Sequence, residues 1–187
     1  MTEWPSRDQA QAVLDEWTKN ENLKKHAYAV EAAMRVYAEK LGEDAGKWSV
    51  VGLLHDFDYE RYPDAANHPF RGAEFLRDQG WPEELVEGVL AHAEYSGVER
   101  DTPLKQAIFA VDELTGLIVA VALVRPSKKL ADVTVQSVLK KWKDKRFAAG
   151  VDRKLIEQGA EELGVPLEEH VETVLEAMQG IADELGL

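Results

Sequence analysis

The chain contains no cysteine among its 187 residues. That excludes disulfide bonds and thiolate metal sites together, so any metal must be held by His, Asp, Glu and water. No stretch reaches 18 consecutive apolar residues, and no membrane-crossing helix is expected. Residues 1–8 are polar and lack the apolar core of a signal peptide. A cytoplasmic protein with no membrane partner is the expectation. A Gly-rich loop of the Walker type is absent, which excludes phosphate binding by a P-loop. Positive charge is scarce too: 22 Lys and Arg face 35 Asp and Glu, a net charge of -13. Such a balance argues against a general nucleic-acid binder.

The basic residues that exist are gathered. Residues 125–154 carry ten of them against Asp132, Asp144 and Asp152, a net of +7, so the remainder carries -20. A local basic segment can attract an anionic ligand, and it can equally be a solvated helix face. No internal repeat, low-complexity tract or interdomain linker interrupts the chain. Its length suits a single domain, residues 1–187, with a sizeable core.

What fills the chain is helical periodicity. Apolar residues recur at three- and four-residue spacing with little alternation at period two, which predicts an all-α fold. Ser6, with Gln9 three residues on, forms a capping box for a first helix reaching about Lys19. A second helix runs from about Asn22 to Leu41 and ends at Gly42. A third spans roughly Ala45 to Phe57. Residues 58–67 read as a loop, followed by helices Pro69 to Gln79 and Pro82 to Glu94. A long apolar helix, Leu104 to Val124, is expected at the centre of the core, interrupted by Pro126. Helices at about Thr134 to Ala148, Arg153 to Leu163 and Pro166 to Leu185 complete the chain, with Asp152 and Pro166 marking two of the starts. Val133, Val135 and Val138 leave a strand open as an alternative at that point.

Of the five histidines, His26, His55 and His92 fall on apolar faces of separate predicted helices. A lone histidine there is ordinarily a satisfied core residue. Three in one small domain suggest a shared metal, because buried polar groups need partners and one ion satisfies several. Asp56 follows His55 directly. Asp112 stands inside the long apolar helix between Val111 and Leu114, where a carboxylate is costly unless a cation meets it.

The order His26, then His55-Asp56, then Asp112, in the strings LKKHAYAVEAAM, VVGLLHDFDYE and IFAVDELTG, resembles the HD superfamily of metal-dependent phosphohydrolases. The resemblance covers about residues 20–125 and implies an HD-type helical bundle, with residues 126–187 as a C-terminal helical extension. The strings HPFRGAEFL and VLAHAEYSG place His68 and His92 where two-metal members of the superfamily have further histidines. The implied ligand set is His26, His55, Asp56, His68, His92 and Asp112, with Asp56 bridging the ions. His170 lies outside the motif, as a structural or surface residue. A divalent metal, one or two ions, is implied, and the histidines favour Fe, Mn, Co, Ni or Zn over Mg.

Candidate acids and bases beside Asp56 are Asp58, Glu60 and Glu94. Candidate cations for a substrate phosphate are Arg71, Lys128, Lys129 and the run from Lys140 to Arg146. One departure stands out. Many members with nucleotide substrates carry a lysine shortly after the HD pair, whereas this chain reads His55-Asp56-Phe57-Asp58-Tyr59. The extended Gly-Tyr-Pro loop of cyclic-dinucleotide phosphodiesterases is also missing. Three functions follow from the resemblance. The first is a phosphohydrolase acting on a nucleotide or other small phosphate ester. The second is a di-iron oxygenase on the same scaffold. The third is a non-catalytic sensor or scaffold. Oligomeric state is left open, although the last helix reads as core.

Overall fold

A computed structural model describes residues 3–187. Its elements, in chain order, are α1 (Arg7–Trp17), α2 (Glu21–Leu41), α3 (Ala45–Leu54), α4 (Phe70–Asp78), α5 (Glu83–Ala91), α6 (Pro103–Leu123), α7 (Val135–Trp142), α8 (Arg153–Glu162), α9 (Leu167–Gln179) and α10 (Ala182–Leu185). There is no strand among the described residues, so the fold is all-α as expected. The local signals act as read. Ser6 and Gln9 make the capping box of α1. Asn20 caps α2, and Gly42, at φ 74°, closes it in the left-handed conformation that glycine adopts without strain. Asp152 caps α8. Val135 and Val138 lie in α7, because Thr134 and Ser137 form a capping box that starts a helix there.

The two longest helices, α2 and α6, are 21 residues each, and they meet at the centre. α3 lies along α2, α5 packs on α6, and α8 and α9 cover the other side. α6 is long and apolar enough to cross a membrane by composition. Most of its apolar residues, Leu104, Ile108, Leu114, Leu117 and Ile118 among them, are instead buried against the other helices. One apolar cluster extends from Ala10 in α1 to Leu185 in α10, so α7 to α10 share the core of the motif-bearing helices. Packing at this density is the main stabilising term.

Several helices stop earlier than periodicity predicts. α3 ends at Leu54, not Phe57, and the chain continues in turns, where the Phe57 amide donates to the Leu54 carbonyl and the Phe57 carbonyl accepts the Thr18 hydroxyl at 3.0 Å. α5 ends at Ala91, and Glu94 falls in a short 3-10 turn beyond it. α7 ends at Trp142 rather than Ala148. There the Arg153 guanidinium gathers the carbonyls of Lys141, Asp144, Phe147, Ala148 and Val151, folding the segment back on α8. The last predicted helix is two, broken at Gly180 and Ile181. Just before the break, Gln179 donates to the Leu130 carbonyl at 3.0 Å.

His170 is a buried structural residue, and no part of it reaches the surface. Its Nε2–H donates to the Ala110 carbonyl of α6 at 2.8 Å, and its Nδ1 accepts the Tyr37 hydroxyl of α2. Burial pushes this imidazole down to about 4. In the unfolded chain it titrates near the ordinary value of about 6.5. Between those values only the unfolded state binds the proton, so stability falls as pH drops from about 6.5 to about 4, by about 3 kcal/mol at most. Urea midpoints of wild type and His170→Asn across that range check this. The advantage of wild type over the variant should shrink as pH falls. A pH-independent difference would contradict it.

Candidate metal centre

Four helices and the turns beside them bring the six candidate ligand side chains together. His26 lies in the first turns of α2 and Asp112 in the middle of α6. His55 and His92 occupy the C-cap positions of α3 and α5, while Asp56 follows His55 and His68 precedes α4. The ligands sort into two groups, His26, His55 and Asp112, and Asp56, His68 and His92.

The two groups have nearly the same shape. In the first, the Nε2 atoms of His26 and His55 are 3.1 Å apart, and Asp112 Oδ1 lies 2.9 Å from one and 3.5 Å from the other. In the second, His68 and His92 Nε2 are 3.1 Å apart, and Asp56 Oδ1 lies 3.1 and 3.6 Å from them. An ion with ligands at about 2.1 Å and near-right angles between them holds its donors about 3 Å apart. Each triangle therefore matches one face of a metal's coordination shell. The rings of His55 and His92 meet edge to face at 5.2 Å and join the triangles into one centre.

The other side of each ring supports this reading. His55 Nδ1 donates to the Gly52 carbonyl at 2.7 Å and His92 Nδ1 to the Val89 carbonyl at 2.6 Å, both in the last turn of the helix that each residue caps. His68 Nδ1 donates to Asp58 at 2.7 Å. His26 Nδ1 faces the Thr115 hydroxyl at 3.4 Å, whose own proton goes to the Asp112 carbonyl. All four rings thus meet a partner outside the cluster through Nδ1 and aim Nε2 inward, the orientation a metal ligand needs. Within each pair the Nε2 atoms stand 3.1 Å apart, close enough for one ion to take both. The donor set fits a pair of divalent ions.

The charges agree. Burial pushes the Asp112 carboxyl up, but the His55 and His26 imidazoles overcome it and hold it well below the usual range. Burial likewise opposes ionisation of Asp56, yet contact with His68, then the charges of His55 and His92, bring it down to about 2. Against burial, Asp112 raises His26 to about 9, and Asp56 with Asp58 does the same for His68. Both carboxylates are held as anions, which suits Asp56 to binding a cation rather than carrying a proton.

The remaining expected residues divide. Asp58 is 1 % exposed, and its two oxygens accept from His68 Nδ1 and from the Gly72 amide at 2.7 Å each. It is committed to positioning His68 and cannot act as the acid or base expected of it. Glu60 accepts from the amides of Lys19 and Asn20 at 2.7 and 3.0 Å, which makes it a cap for the α1–α2 turn. Glu94 is exposed and lines the cavity of about 370 Å³ that holds the triads. Arg71, expected to hold phosphate, pairs with Glu74 and Asn67 on the outer face of α4 and does not line this cavity. Lys128 and Lys129 follow the end of α6, roughly 16 Å along the axis beyond Asp112, and do not line it either. No Lys or Arg does.

Sequence reasoning passed over Glu113, Thr115, Gly116, Tyr59 and Tyr95. Tyr59 sets its ring edge against His68 at 5.3 Å, and the Tyr95 hydroxyl donates to the His68 carbonyl at 3.1 Å. Glu113 lines the cavity, and its Oε2 accepts from the Asp152 amide at 3.1 Å. Burial and then the charge of Asp112 raise its carboxyl. The helical stripe through Asp112 was the signal for Thr115 and Gly116.

Outer partners of ligating histidines typically contribute 10–100-fold in metal affinity. Asp58→Asn should therefore weaken the Asp56, His68 and His92 site by about 10–100-fold and leave its neighbour unchanged. Competition with a chelator of graded strength checks this, reading two binding constants per chain.

The comparisons agree with this geometry. Among curated proteins, none matches the chain. The family description "HD domain" matches residues 23–117, a span that includes all six candidate ligands. With half of its length so matched and both triads inside the match, the chain belongs to the HD domain family.

Proposed function

We propose that the protein is a metal-dependent phosphohydrolase acting on a small phosphate ester. The observation that carries this reading is the pair of His-His-Asp triads, with their Nε2 atoms turned toward one cavity. When bound there, a divalent pair supplies an acidified water and a positive field for the phosphoryl oxygens. Two dications against Asp56 and Asp112 leave two positive charges uncompensated, which suits a phosphate group. That accounts for a cavity without Lys or Arg. Glu113, held up by burial and by Asp112, is the residue best suited to give a proton to the leaving oxygen. Glu94 at the rim and the net charge of -13 disfavour a polyanion such as nucleic acid. The histidine content favours Fe, Mn, Co, Ni or Zn over Mg.

A second reading has one observation in its favour. Each triad is a two-histidine, one-carboxylate set, a pattern shared with non-haem iron oxygenases. The deciding experiment measures metal per chain in protein purified without chelators, then assays phosphate release from a panel of phosphate esters with and without oxygen. About two ions per chain and oxygen-independent phosphate release support the hydrolase. Oxygen-dependent turnover without phosphate release supports the oxygenase. No bound metal after incubation with Mn, Fe, Co, Ni or Zn overturns both.

A further inference from the structure

A glycine inside a helix costs stability relative to alanine, and most helical glycines here are explained by packing. A Cβ on Gly52, Gly72, Gly88 or Gly159 would come within 2.9 Å of a neighbouring atom. Gly116, in the middle of α6, is different. A Cβ there would meet only Val151 Cγ2 at 3.8 Å, an ordinary contact. Packing gives no reason for glycine at this position.

Its surroundings do. Gly116 and His26 line the metal cavity, and both also line a second cavity of about 380 Å³ between α2 and α6. The second cavity follows one stripe of each helix, and Leu185, Gly186 and Leu187 close its third side. On α6 the stripe runs from Asp112 through Gly116 and Val119 to Leu123, at helical spacing. On α2 it runs from Asn22 through Lys25 and His26 to Ala29. The first triad stands at one end of the groove, and the other end is apolar. Leu123 there is 49 % exposed, an apolar side chain that the protein itself leaves uncovered. Lys25 is the one Lys or Arg lining either cavity. A side chain at Gly116 would stand where the two cavities join.

We propose that the substrate is an amphiphilic phosphate ester, and that Gly116 is the specificity-determining residue that keeps its path open. The phosphate lies at the triads, and the apolar part passes over Gly116 into the α2–α6 groove beside Lys25. This inference rests on the phosphohydrolase reading for the phosphate end. Ala29, Val119, Leu123 and Leu185 give the groove its apolar wall, which suits an alkyl chain as the ester's other half.

The test uses binding to the metal-loaded protein, with methylphosphonate and octylphosphonate as probes that cannot be hydrolysed. In wild type, octylphosphonate should bind at least about tenfold tighter, from burial of its chain. Gly116→Leu should abolish that advantage and leave methylphosphonate affinity within about twofold, with metal content unchanged. Gly116→Ala, whose Cβ fits the available space, should fold without difficulty and lose part of the advantage. Equal affinities for the two probes in wild type overturn the proposal, as does a preference that survives both substitutions. Hydrolysis of octyl phosphate is read separately. Chain-length-dependent binding without phosphate release from any ester overturns the hydrolase reading but supports the groove. Phosphate release without chain-length preference does the reverse.

Discussion

Asp112→Asn is expected to take one metal ion from the protein and to lower turnover by at least about a hundredfold. The change keeps the shape of the side chain and removes its charge. Asp112 Oδ1 is the one anionic donor in its triangle, 2.9 and 3.5 Å from the Nε2 atoms of His26 and His55. An amide oxygen is a far weaker partner for a dication. The second triangle keeps its own carboxylate, Asp56, which groups with His68 and His92. Asp56→Asn should therefore give the mirror result, one ion retained in the triad of His26, His55 and Asp112. Metal analysis of the two variants and of the double variant reads the outcome directly, with expected contents of about one, one and none. The resemblance to two-metal HD proteins implies that Asp56 bridges both ions. If it does, Asp56→Asn loses both while Asp112→Asn loses one. An Asp112→Asn protein that keeps two tightly held ions and full turnover would contradict the assignment of this residue.

The parts of this site that were legible in the sequence are those tied to helix identity. His26, His55, His92 and Asp112 sit on apolar helical faces, so periodicity alone turns them inward. Which of them share an ion was not legible. That depends on α3 ending at Leu54, which frees Asp56 to turn toward His68 and His92 while His55 faces His26. The turn that follows is tied to Thr18, distant in sequence, through the Phe57 carbonyl, and local pattern carries no trace of that contact. Asp58 was misread for a related reason. A polar residue in an irregular segment looks solvated, but this one is buried by the approach of α4, whose Gly72 amide it accepts. The cations failed differently. Charge in a sequence does not say which surface it faces, and Arg71 faces away from the metals toward Glu74. The basic segment faces elsewhere too: Lys128, Lys129, Lys143, Lys145 and Arg146 are exposed, and none lines the cavity that holds the triads. Glu113 and Gly116 could have been found, because they flank Asp112 and follow it by one turn on a helix already identified.

Gly159→Ala should destabilise the fold by about 3 kcal/mol, the upper end of what overpacking a core costs, and lower Tm by roughly 6–12 °C for a chain of this size. The added methyl would lie 2.5 Å from Ala110 Cα and 2.8 Å from Ala110 Cβ. Ala110 is buried in the central helix α6, with its carbonyl held by His170, so it cannot retreat and α8 must move away. α8 contributes Leu155 to the cavity wall and Glu162 to the ion pair with Arg100, but it supplies no ligand. Metal content should therefore survive a change that costs this much stability, which separates the motif helices from the C-terminal extension that braces them. Gly116→Ala, one and a half turns further along the same helix α6 as Ala110, should have the opposite sign. Its methyl meets only Val151 Cγ2 at 3.8 Å, and the gain in helix propensity is about 1 kcal/mol. Thermal unfolding of the two variants beside wild type measures both shifts. A Gly159→Ala protein as stable as wild type would show that α8 slides on α6 without cost and that the close approach at Ala110 does not fix its position.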